Sequence, residues 1–252
     1  MDYLCAKIHP KTSMQRLLYS LLLSLIVVPG LFLLTGSSSD EPSTTPAPPT
    51  SPASAEVYEQ LYDTLRLDSL VSREAFRQAV EGFYKIEDRK REVLTLIDFS
   101  KPSTAKRLFV IDMQRKELLF ASVVSHGKNS GENYATSFSN ENGSHKSSLG
   151  FYLTGDTYQG RNGYSLILDG LEKGINDRAR ERAIVMHGAA YSNPSVIRSC
   201  GRLGRSFGCP AVPQALSRPI IDAIKGGSVI YIYAPQPEYL VRSTILSPEP
   251  HA

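Results

Sequence analysis

From Glu56 to about Lys90 the apolar residues recur at helical spacing. Val57, Leu61 and Leu65 stand four apart. After a break near Asp68-Ser69, Ser72 is placed to cap a second helix with Phe76, Ala79, Val80 and Phe83 on one face. From about Val93 the period changes. Leu94–Phe99, Arg107–Asp112, Glu117–Val124, Tyr164–Leu168, Ala183–Met186 and Ser228–Tyr233 are short runs rich in β-branched, aromatic and leucine residues. The pattern predicts strands, with a hairpin turn at Gln114-Arg115-Lys116. One later helix is expected from Gln214 to Lys225, stopped by Gly226-Gly227. Strands dominate without regular βα alternation, which predicts a mainly antiparallel β domain with a few helices. The Gly-, Ser- and Asn-rich stretch from Gly127 to Gly163 predicts long loops around a cleft.

The ends of the chain read differently. Lys7, Lys11 and Arg16 precede an apolar run from Leu17 to Leu34, followed by Thr35-Gly36-Ser37-Ser38. This predicts an export signal over 1–36. Met14 as the start would leave Arg16 as the basic region and exclude Cys5. The run is also just long enough to span a bilayer, which leaves N-terminal membrane association open. Residues 37–55 are mostly Ser, Thr and Pro, a linker composition that buries no apolar surface. The expected plan is 1–36 signal or anchor, 37–55 linker, 56–92 helical segment, 93–240 catalytic domain and 241–252 tail. Either version of the leader places the rest of the chain outside the cytoplasm, in the periplasm or cell envelope.

Composition narrows the chemistry. A hydrophobic content of 41% supports a real core, and the net charge of +3 is spread over dispersed Lys and Arg, so no nucleic-acid footprint is expected. Three cysteines, at 5, 200 and 209, form no disulfide framework, and no C-x-x-C suggests structural zinc. Nothing in the pattern predicts an oligomer, so a monomer is expected.

Two nucleophiles share one small-residue turn. Gly204-Arg205-Ser206-Phe207-Gly208 fits the G-x-S-x-G elbow of serine hydrolases, and Gly208-Cys209-Pro210 presents a thiol. The elbow needs a histidine later in the chain, and the only one is His251, in a Pro-rich tail. That order removes Ser206 as an elbow serine. A cysteine can use an earlier histidine, since only spatial adjacency matters. His187 is expected at the end of the run Ala183–Met186, with Gly188 behind it. The N–H groups of Gly208 and Cys209 would point at an oxyanion, and Arg205 would lower the thiol pKa. Spacing alone leaves a catalytic Cys209 and a buried structural cysteine both open. Zinc on His187, Cys200 and Cys209 has the ligand types without the usual spacing, so no metal is expected. Thiol acyl transfer requires no cofactor.

His187-Gly188 and the run Gly201 to Val212, with its Ser206-Phe207-Gly208-Cys209-Pro210-Ala211 core, resemble the murein L,D-transpeptidase catalytic-domain family, the YkuD-like enzymes, in the branch with S-x-G-C-P-A. Ser125-His126-Gly127, Phe138-Ser139-Asn140, Ser147–Tyr152 and Asn176–Ala179 extend the likeness, which covers about Leu94 to Ala234. The resemblance implies a β-sandwich-like catalytic domain and acyl transfer on peptidoglycan stem peptides. It makes Cys209 the nucleophile of a thioester, His187 its base and Gly188 the carbonyl that orients the imidazole. The product would be a 3→3 cross-link. The alternatives are an L,D-carboxypeptidase trimming tetrapeptides and a non-catalytic peptidoglycan-binding module. Many relatives carry His or Trp where Phe207 stands, so a polar role there is lost while an aromatic wall is kept.

The remaining candidates for substrate contact are Arg205, Ser206, Phe207, His126, Asn140 and Tyr191, with Ser147 and Ser148 beside them. For each a structural part competes: a solvated loop for His126, turn formation for Asn140, Ser147, Ser148 and Tyr191, a surface ion pair for Arg205. Cys200 is either a small hydrophobe or a partner that disables Cys209 by oxidation.

Overall fold

A computed structural model describes residues 52–247, which fall in one compact unit. The expected leader, residues 37–51 of the linker and residues 248–252 of the tail lie outside the described residues. Two helices come first, α1 (Pro52–Thr64) and α2 (Arg73–Lys85), followed by strands β1 (Val93–Asp98), β2 (Leu108–Asp112), β3 (Glu117–Ser122), β4 (Gly150–Gly160), β5 (Gly163–Gly170) and β6 (Val185–Ala189). A 3₁₀ turn (Ala190–Ser192) leads to α3 (Pro194–Cys200), β7 (Ala211–Pro213), α4 (Gln214–Ile224), β8 (Val229–Tyr233) and α5 (Pro237–Arg242).

All eight strands join one sheet in the order β3-β2-β1-β8-β4-β5-β6-β7. Pairing is antiparallel except at β1/β8 and β6/β7. The predicted β-rich domain with few helices is therefore observed. The sheet also curls back on itself. The chain leaving edge strand β3 bridges Ser125 to Ala211 on β7, the opposite edge, and Gly127 to Ser206. One curled sheet, rather than two separately bonded ones, is the form the expected sandwich takes.

The middle of the sheet is covered on both faces, so β1 and β8 are buried along their whole length. Ser72 caps α2 by accepting from Ala75 N at 3.3 Å, as its position predicts. The buried stripe Phe76, Ala79, Val80 and Phe83 seats α2 on β1 and β8. Gly82 allows the close approach: a Cβ there would stand 2.0 Å from the Phe151 ring. Helix α4 buries Ile220, Ile221 and Ile224 and packs on β5, β6 and β7, stiffening the strand that carries His187.

Several boundaries differ from expectation. The stretch Gly127–Gly163 is not all loop, because β4 occupies its second half with a bulge between Thr154 and Thr157. Helix α1 starts at Pro52, inside the expected linker. The domain end expected at 240 falls within α5, and Ser243 and Leu246 beyond it are buried. The anchor is Glu172, fully buried, whose carboxylate accepts from Phe151 N, Tyr239 Oη and Ser243 Oγ. Burial among neutral donors raises its pKa. Among the described residues no helix is long and apolar enough to cross a membrane.

Candidate active site

His187 stands inside β6 rather than at a strand end, opposite Ser165 on β5 and Ala211 on β7. Its side chain is 4% exposed, and Nδ1 lies 3.1 Å from Gly188 O. A carbonyl only accepts, so Nδ1 carries the proton and Nε2 is left with its lone pair. Burial lowers the imidazole pKa and outweighs the Gly188 bond, which opposes it. The ring is a neutral base at pH 7.

The parallel register of β6 and β7 brings Cys209 beside the strand that carries His187. Ala211 faces His187, so Cys209, two residues earlier, comes to the start of β6. There Sγ donates to Ala183 O at 3.7 Å, and Val185 N–H, Cys209 N–H and the Arg182 charge face it. Burial raises the thiol pKa more than these groups lower it. Cys209 is half-buried and free, so a Cys200–Cys209 disulfide is not formed. The resting pair is a neutral thiol and a neutral imidazole, with no hydrogen bond between them.

The turn before the thiol is held from inside. Ser206 Oγ accepts from Gly208 N at 3.0 Å and donates to Cys209 O at 2.7 Å. Gly208 has φ +127°, and a Cβ on it would stand 2.8 Å from Lys146 O and 2.9 Å from Ile184 Cδ1. No other residue fits. Ser147 Oγ donates to Gly208 O at 3.1 Å and accepts from Gly127 N at 3.0 Å. Ser206 N donates to His126 O, and Lys128 N to Ser206 O. The expectation of two oxyanion donors is corrected: the Gly208 N–H is spent on Ser206, and the Cys209 N–H remains at the thiol.

The other expected residues divide. Phe207 is 46% exposed, with Lys128 Nζ 4.6 Å from its ring centroid and the His145 ring 4.5 Å away. Arg205 turns away from the thiol, donating to Lys128 O and Gly131 O and pairing with Glu132 at 2.7 Å. The charge beside Cys209 belongs to Arg182, which sequence reasoning missed within the run Arg178–Arg182. Asn140 donates to Asp177 Oδ1 and accepts from Arg178 N. It lines a 280 Å³ cavity with Phe138, Leu149, Ile175 and Tyr239, away from Cys209 and His187. Tyr191 accepts from Gly204 N through its carbonyl and supports the turn. Among the described residues no cluster of His, Cys, Asp and Glu could hold a metal.

His126 sits between the bridged Ser125 and Gly127 and is buried rather than solvated. It is 1% exposed, with Nδ1 accepting from Arg107 Nη2 at 2.8 Å and Nε2 donating to Gly131 O at 3.2 Å. Arg107 is itself buried and also donates to Val124 O and Lys101 O; burial lowers its pKa to about 9. Burial first and the Arg107 charge second push His126 down to about 3. An unfolded histidine titrates near about 6.5. Between these values the unfolded chain binds a proton that the folded chain does not, so stability falls as pH drops through this window. His126→Gln removes the term. Urea unfolding at about pH 7 and about pH 5 should show wild type losing about 2 kcal/mol relative to the variant.

Residues 67–233 match the family model described as L,D-transpeptidase catalytic domain. No curated protein matches the chain. Solved structures with a local likeness include an L,D-transpeptidase from Mycobacterium smegmatis, 16% identical over 57% of this chain and 59% of that one, TM-score 0.36. Another is L,D-transpeptidase 3 from Mycobacterium tuberculosis, 11% identical over 57% of this chain and 62% of that one, TM-score 0.37. A third, from Stackebrandtia nassauensis, is 10% identical over 75% of this chain and 81% of that one, TM-score 0.35. The chain thus spans less than two thirds of the two mycobacterial proteins. The family model matches more than half of the chain, and on that ground the chain belongs to the L,D-transpeptidase catalytic-domain family.

Proposed function

We propose that this protein is an exported murein L,D-transpeptidase that works through a Cys209 thioester. The observation that carries the reading is the placement of a free thiol, two residues before β7, beside β6, the parallel neighbour that bears a neutral, Gly188-oriented His187. In the proposed reaction Nε2 of His187 takes the thiol proton as Sγ attacks the carbonyl on the L-centre side of an L,D-peptide bond. The Cys209 N–H stabilises the oxyanion. The tetrahedral species collapses, the C–N bond breaks, and the proton on His187 leaves with the terminal D-alanine. A side-chain amine of a second stem then gives up a proton to His187 and takes the acyl group, forming a 3→3 cross-link and restoring the thiol. Water in place of the amine yields a trimmed tripeptide.

Phe207 forms the wall of the site, and Ser206 and Gly208 hold the thiol turn. The protein acts outside the cytoplasm, a proposal resting on the basic residues and apolar run at the N-terminus. Incubation with disaccharide tetrapeptide, followed by chromatographic separation and mass analysis, tests the function. Cross-linked dimers are expected. Tripeptide alone would make the protein a carboxypeptidase, and unchanged substrate would remove both.

A further inference from the structure

Arg182 lies just before β6, and its guanidinium is held by neutral groups only. Nη1 donates to Ser139 O at 2.8 Å and to Ser148 Oγ; Nη2 donates to Lys146 O at 2.7 Å and to Ser144 Oγ at 3.3 Å. Its neighbours differ: Arg178 pairs with Glu181 and Arg180 with Asp169. Among the described residues no carboxylate pairs with Arg182, although it is half-buried and burial lowers its pKa. A partly desolvated cation without a counter-ion is costly, so the arrangement calls for an anion that forms in use.

Three titratable groups couple to this charge: Tyr152, Cys209 and the like-charged Arg178. Tyr152 is fully buried, donates to Ser148 O and is held neutral well above pH 7 by its burial. That leaves Cys209 as the group that becomes an anion. The guanidinium also lies against the turn that carries the thiol, with Nη2 3.5 Å from where a Cβ on Gly208, the residue before Cys209, would lie.

We propose that Arg182 is the counter-ion of the Cys209 thiolate, a positioning residue whose fixed charge holds the sulfur anion as His187 withdraws the proton. In this step the S–H bond breaks, the proton goes to Nε2 of His187, and the electron pair stays on sulfur between guanidinium and imidazolium. The four bonds to residues 139–148 fix the charge in place. The inference rests on the proposed function only in taking Cys209 as the reactive group.

The test is the pH dependence of Cys209 alkylation by iodoacetamide in the full chain, with near-ultraviolet circular dichroism as a check on folding. Arg182→Met should move the midpoint up by about one unit or more and slow alkylation at pH 7 by about tenfold, since one unit is a factor of ten in thiolate. Arg182→Lys keeps the charge and should stay within about threefold of wild type. Arg182→Gln, which keeps hydrogen-bond donors without charge, should follow Met and replaces it if Met does not fold. A midpoint unchanged in the folded neutral variants overturns the proposal, as does a Lys variant shifted as far as Met. No cell-wall peptide is present, so failure to process muropeptides would count against the proposed function and not against this pairing.

Discussion

Cys209→Ala is expected to reduce muropeptide cross-linking and trimming by about 10⁴-fold or more, because no second group can form the covalent intermediate. Ser206 shares the turn with Cys209, and its oxygen is already engaged by Gly208 N and Cys209 O. The substitution removes one weak thiol bond to Ala183 O, so stability should change by no more than about 1 kcal/mol. Product quantification with a thermal melt on the same preparation checks both halves. Retained turnover in the folded variant would place the nucleophile elsewhere.

His187→Ala is expected to cost about 10³-fold in kcat/KM, within the range of a removed general base. The pH profile separates this from simple damage. Protonation of Nε2 disables the base, and burial makes that protonation harder. The wild-type acid limb should therefore lie below the ordinary imidazole value of about 6.5. The variant should lack that limb and should gain rate as pH rises, since its thiol, raised by burial, must ionise without help. A variant profile parallel to wild type would mean that His187 serves only the fold.

Much of this was legible in the chain. The β-rich runs marked six of the eight strands, and Ser72 marked the start of α2, because each signal is local. Strand β4 was not, since Gly150, Gly155, Asp156 and Gly160 break the alternation that a bulged strand still satisfies in space. Strand β7 has three residues, too few for a period, yet its parallel pairing with β6 is what brings Cys209 to the histidine strand. Ser243 was assigned to a tail because its partner Glu172 lies 71 positions away. The thiol's cation was misassigned for a similar reason. Arg205 is near Cys209 in sequence but pairs with Glu132, whereas Arg182 arrives from the segment before β6. His126 fits the family block by position, but its burial against Arg107 depends on a contact 19 residues away.

The central claim is a thioester on Cys209, and trapping it is the most direct test. Wild-type protein is mixed with tetrapeptide donor in the absence of any acceptor amine, quenched in acid, digested and mapped by mass. The account predicts a tripeptide adduct on the fragment carrying Cys209, removed by hydroxylamine and absent from Cys209→Ala. An adduct on Ser206 or any other residue, or one that persists in Cys209→Ala, would contradict it.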